Sequence, residues 1–101
     1  MSFADNLNLL PETGHLAVIE LTGPDGEAAV IENVPGSQGS VRVYAWLFAK
    51  YGDLGRMAAA EGLELYAEHV ADARAHPGKH PNIDRLLAIV VDGRPWYGSM
   101  T

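Results

Sequence analysis

LLAIVVDGRPWYGSM, residues 86–100, decides how many strands the sheet has. Leu86 to Val91 are apolar at every position, and a short run of that kind fits a strand covered on both faces. Asp92-Gly93 carries the two-residue signature of a tight hairpin. Arg94–Met100 then returns as a last strand, which Pro95 confines to an edge. This reading makes Leu86–Val91 the central strand.

Working outward, a second pair of β-rich runs lies near the N-terminus. HLAVIELT (15–22) and EAAVIENV (27–34) flank Gly23-Pro24-Asp25-Gly26, the composition of a hairpin turn. Ala17, Ile19 and Leu21 share one face of the first run and form its predicted core side. Between the hairpins the period changes. Val41, Tyr44, Ala45, Leu47, Phe48 and Tyr51 fall on one helical stripe after Ser40, a suitable N-cap, and Gly52 suits the stop. Trp46 then points away from the stripe, between Arg42 and Lys50. Asp53 is placed to cap a long helix reaching about Ala75, with a seam of Ala59, Leu63, Tyr66, Val70 and Ala73. Gly62 inside it costs ~1 kcal/mol relative to Ala, so packing or a bend accounts for it. His76-Pro77-Gly78 ends this helix, and Asn82 caps a single further turn. Ser2 caps a short helix over Phe3–Leu10 that Pro11 and Gly14 terminate. The prediction is one α+β domain over residues 1–101: a mainly antiparallel sheet of two hairpins, helices on one face, order α-ββ-αα-ββ. The bare face of the sheet calls for a cover, and a homodimer supplies one.

With 48% hydrophobic residues, the 101-residue chain has material for a single core. Its formal charge of −6 argues against nucleic acid and anionic membranes as partners. There is no cysteine, which removes disulfides and thiolate chemistry and fits a cytoplasmic protein. MSFADNLNLLPETG lacks the features of a signal peptide, and no window approaches a membrane span.

Three groups of side chains are candidates for function. On a continuous helix, His69, Asp72 and His76 lie within about 60° of arc, opposite the seam. Two imidazoles and a carboxylate suit zinc or another divalent metal, with His80 as a possible further ligand; alternatively Asp72 orients a histidine as a general base. The histidines of the helix are seven residues apart, about 10.5 Å along the axis, a long reach for one ion. A solvated face on which Asp72 pairs with a histidine is the simpler reading. The second group is the basic connection from Arg74 to Arg85, where Gly78, Lys79, His80 and Arg85 suit a carboxylate or phosphate. Its simpler reading is a rigid turn in which Asp84 pairs with Lys79 or Arg85. The third is Arg42-Trp46-Lys50, either a cation–π stack or an anchor for a protein partner. No nucleophile elbow, zinc-protease, dinucleotide or calcium-loop pattern occurs. Ser37 and Ser40 read as turn and cap residues.

GSQGS at 36–40, EGLELYAEHVADAR at 61–74 and HPGKHPNIDRL at 76–86 resemble a family of short bacterial proteins grouped as a domain of unknown function. The resemblance covers nearly the whole chain and implies no activity, ligand or catalytic residue. Two functions follow from the residues. One is a non-enzymatic, cofactor-free domain that self-associates and binds a protein partner through apolar sheet surface and Trp46. The other is a metal- or anion-binding site, open to catalysis, built from His69, Asp72, His76, Lys79 and His80.

Overall fold

Alternation in VIELT sends Ile19 and Leu21 inward and Glu20 and Thr22 to solvent. That strand, β1 (Val18–Thr22), pairs antiparallel with β2 (Ala28–Glu32) across the Gly23–Gly26 turn, where Gly26 takes a φ of 83°. The computed structural model describes residues 1–101, and its elements run α1 (Phe3–Leu7), β1, β2, α2 (Gln38–Tyr51), α3 (Arg56–Tyr66), α4 (His69–Ala75), α5 (Pro81–Asp92) and β3 (Tyr97–Met100). The sheet order is β2-β1-β3, antiparallel throughout. The class is α+β, but the sheet has three strands and one hairpin rather than four strands and two.

Leu86–Val91 is the correction that matters most. It is the body of α5, not a strand, so β1 takes the centre of the sheet. Pro81 sits at the first helical turn, where its fixed φ costs no hydrogen bond. Ile83, Leu86 and Ile89 recur at helical spacing and are buried, while Val91 is 82% exposed. Gly93, expected in a hairpin turn, is the left-handed cap that stops the helix at a φ of 69°. The last strand forms over Tyr97–Met100 only, at an edge and paired with β1, and Pro95 lies before it rather than within it.

The long helix is also corrected. It begins at Arg56, with Gly55 at its N-cap position, because Leu54 is drawn into an antiparallel bridge with Trp96. It breaks at Ala67, whose φ is 51°. The break is where α1 docks. Asn6 Nδ2 donates to the carbonyl of Leu65 at 3.0 Å, Phe3 stacks on Tyr66, and the Phe3 N–H donates to Glu68 Oε1 at 2.8 Å. The Asn6 amide thus satisfies the carbonyls of Glu64 and Leu65, which a continuing helix would have used. Ser2 and Asp5 complete a capping box at the start of α1 itself.

The core cluster draws on both layers. Val41, Val43, Tyr44, Leu47 and Phe48 of α2 meet Ile19, Leu21 and Ile31 of the sheet and Ala58, Ala59, Leu86 and Ile89 of α3 and α5. Ala59, Tyr66 and Ala73 are buried as the seam predicts, despite the break between them. On the outer sheet face Val30 and Tyr97 are 58% and 55% exposed. No helix is long and apolar enough to cross a membrane.

Candidate functional site

The break at Ala67 and the turn after α4 bring separated residues to one cleft. His69 opens α4 with its ring edge-on to Phe3, the centroids 5.1 Å apart, and 6.1 Å from the ring of His80. His80 precedes Pro81 at the start of α5 and folds back toward α4. Its Nε2 lies 2.6 Å from Asp72 Oδ2. Lys79 Nζ reaches the same oxygen at 2.8 Å, and His76 Nε2 stands 3.8 Å from Oδ1. The Lys79 and His80 hydrogen bonds hold the Asp72 carboxyl well below the usual carboxylate range, at about 2.

Phe3, Ser40, Tyr66, His69, Lys79 and His80, with the first residues of α2 and α5, line a cleft of about 370 Å³. The floor is set by Tyr66, whose hydroxyl donates to Ser40 Oγ at 2.7 Å; burial pushes that phenol far up, so it stays a neutral donor. Gly39 keeps the wall close, because a Cβ there would stand 3.0 Å from Phe3 Cζ. The start of α2 is left open. Ser37 directs its hydroxyl to the carbonyls of Glu32 and Val34 instead of capping. The first helical N–H to find an acceptor is that of Val41, so those of Gln38, Gly39 and Ser40 have none in the protein. Such donors at a helix start favour an anionic group.

The expected residues divide accordingly. His69, Lys79 and His80 meet in the cleft, with Asp72 behind them. His76 lies outside it, its side chain 63% exposed. No three His, Asp or Glu side chains are arranged to hold a metal ion, so the set His69, Asp72 and His76 does not converge. Arg85 is turned elsewhere: its guanidinium lies over the rings of Tyr44 and Trp96 and donates to Tyr44 Oη and Asn82 Oδ1. Asp84 pairs with neither Lys79 nor Arg85 but accepts from the Gly78 N–H at 2.9 Å. Arg42 donates to the carbonyls of Leu10 and Pro11, tying down the segment after α1. Trp46 is half-buried, its Nε1 donating to Glu61 Oε2 at 2.6 Å. Glu61 also takes Lys50 and Tyr51. Burial pushes the Glu61 carboxyl up, yet these three donors outweigh it and its pKa falls below the ordinary value.

Phe3, Tyr66 and Ser40 were not singled out as cleft residues from sequence. Ser40, within GSQGS, and Tyr66, within EGLELYAEHVADAR, belonged to segments marked as distinctive; Phe3 is an ordinary apolar residue of a short helix, and nothing local separates it from Leu7.

Fold and cleft together define a small α+β domain whose one histidine-lined hollow lies where α1, α2, α4 and α5 meet. Residues 3–98 match the profile of a family described as an uncharacterized protein conserved in bacteria (DUF2322), and the chain belongs to that family. No curated protein and no solved structure matches it.

Proposed function

We propose that the protein binds a small anion, carboxylate or phosphate, in the cleft between the start of α2 and the Lys79–His80 turn. The carrying observation is that Lys79, His69 and His80 line one hollow with Gly39 and Ser40, whose N–H groups have no acceptor in the protein. Lys79 has two N–H donors beyond the one given to Asp72, and charge-assisted hydrogen bonds are the strong ones. The surrounding chain is acidic, which makes a local cationic site selective for small anions over polyanionic surfaces. The role is binding, with no metal in it. Calorimetric or NMR titration with inorganic phosphate and acetate tests this: saturable binding is expected, with Lys79→Gln weakening it about tenfold. The absence of binding across both anions sinks the reading.

Self-association is a second reading, favoured by the outer sheet face, where Val30 and Tyr97 stand uncovered. It expects a dimer by sedimentation that Val30→Glu disrupts, and a monomer at high micromolar concentration defeats it.

A further inference from the structure

The cleft offers many donors and, from its imidazole–carboxylate pair, one directed acceptor. The Asp72 carboxylate accepts from Lys79 Nζ and meets His80 Nε2 at 2.6 Å. An ionised carboxylate has no proton to give, so the hydrogen in the Asp72–His80 contact sits on Nε2. A neutral imidazole carries a single N–H, which leaves a lone pair on Nδ1. That nitrogen has no hydrogen-bond partner in the protein, and the His80 ring lines the cleft. Asp72 does not line it, so Nδ1 is the ring nitrogen left for a ligand.

The remaining polar groups, apart from the His69 ring, which has no hydrogen-bond partner in the protein and adds a second nitrogen able to accept, point the opposite way. Lys79 and the N–H groups of Gly39 and Ser40 donate only. The Ser40 oxygen accepts from Tyr66 Oη, which leaves the serine's own hydrogen to donate as well. A ligand made solely of anionic oxygens satisfies these donors but sets an oxygen lone pair against that of His80 Nδ1. A hydroxyl beside the anionic group removes the conflict by donating to Nδ1. Lys79 and His80 reach the same Asp72 oxygen, so the anion anchor and the acceptor lie within the span of one small molecule.

We propose that the ligand is a small hydroxylated anion, a hydroxy acid or a polyol phosphate, whose hydroxyl donates to His80 Nδ1. Asp72 is the positioning residue that fixes the ring tautomer. This rests on the anion-binding reading above and adds to it the substrate class.

Matched pairs that differ by hydroxyl groups test it: lactate against propionate, and glycerol 3-phosphate against propyl phosphate, titrated at about pH 8, above the ordinary imidazole range. The hydroxylated member of at least one pair is expected to bind about tenfold tighter, the worth of one well-made hydrogen bond. Nitrogen NMR of the histidine rings is expected to show neutral His80 with its proton on Nε2. Asp72→Asn, whose amide is able to donate to Nε2, is expected to move the proton to Nδ1 and cut the preference to about threefold or less. Circular dichroism checks that this variant is folded. Equal binding within both pairs overturns the hydroxyl proposal and leaves the anion site standing. A wild-type ring protonated on Nδ1 also overturns it. If no probe binds, both fall.

Discussion

Gly62→Ala isolates the contact between α3 and α5 that replaced the expected central strand. In an isolated helix this change gains ~1 kcal/mol, because Gly gives up more backbone freedom on folding than any other residue. Here a Cβ at position 62 would stand 2.6 Å from Leu86 Cδ1 and 2.9 Å from Leu47 Cδ1. Ordinary carbon contacts lie near ~3.5–4.0 Å, so both methyls must retreat by close to an ångström. Leu47 and Leu86 are each fully buried, and neither has solvent to retreat into. Overpacking of this kind costs ~1–3 kcal/mol. The two effects together leave a net loss of ~1 kcal/mol, a fall in Tm of about 4–8 °C for a domain of this size. Urea unfolding followed by far-ultraviolet circular dichroism gives the value, with an unchanged m confirming an unaltered fold. Leu86→Ala alone is expected to cost ~2–5 kcal/mol. Combining it with Gly62→Ala should restore part of that loss, since the new methyl occupies the vacated space. A Gly62→Ala protein more stable than the parent, or a strictly additive double variant, refutes the close α3–α5 approach.

Ala67→Gly should stabilise by about 1 kcal/mol, since a residue with a Cβ holds a φ of 51° there; an unchanged or lower Tm counts against the break. Asp72 has a folded pKa of about 2 against an ordinary 3.8, so it contributes stability above that ordinary value and loses it as pH falls through the window between them. Acid unfolding of Asp72→Asn should therefore lack that part of the wild-type pH dependence, and superimposable acid profiles would speak against the Lys79–Asp72–His80 cluster. Burial pushes the Tyr44 hydroxyl up to about 12, so the stability it lends is full below pH 10 and falls as pH rises toward that value; Tyr44→Phe should flatten the alkaline limb of a stability–pH curve. Trp46→Phe should cost ~1.5–3 kcal/mol by removing a hydrogen bond to a carboxylate, and a change under about 0.5 kcal/mol would show that Glu61 does not bind α2 to α3.

How much of this was legible in the chain depended on the range of the forces involved. Helix α2 was readable because its stripe, its Gly52 stop and its burial agree within fourteen residues. The β1–β2 hairpin was readable from the Gly/Pro turn between its strands. Leu86–Val91 was not, since a short apolar run has no polar face to reveal its period, and β-branched Ile and Val favour strand locally. Pro81 and Gly93 were present as start and stop signals, but Asp92-Gly93 equally matched a hairpin. The break at Ala67 has no local signal at all: it is made by Asn6, Phe3 and Glu68 across some sixty residues of sequence. The site followed suit. The sequence grouped His69, Asp72, His76, Lys79 and His80; the break and the returning turn bring His69, Lys79 and His80 to the cleft with Asp72 behind them, and leave His76, which a straight helix would have kept with them, outside it.

Strand β3 joins β1 across about three quarters of the chain, whereas β2 joins it across the short connection Gly23–Glu27. Loop closure over that distance is slow to be rewarded, so the hairpin and the helices have every opportunity to form before the sheet is complete. Until then the inner edge of β1 keeps its backbone amides and carbonyls unpaired beside Ile19 and Leu21, a sticky template for a neighbouring chain. Shortening the protein from Tyr97 onward thus exposes it to clumping during synthesis or refolding more than to any loss at the cleft.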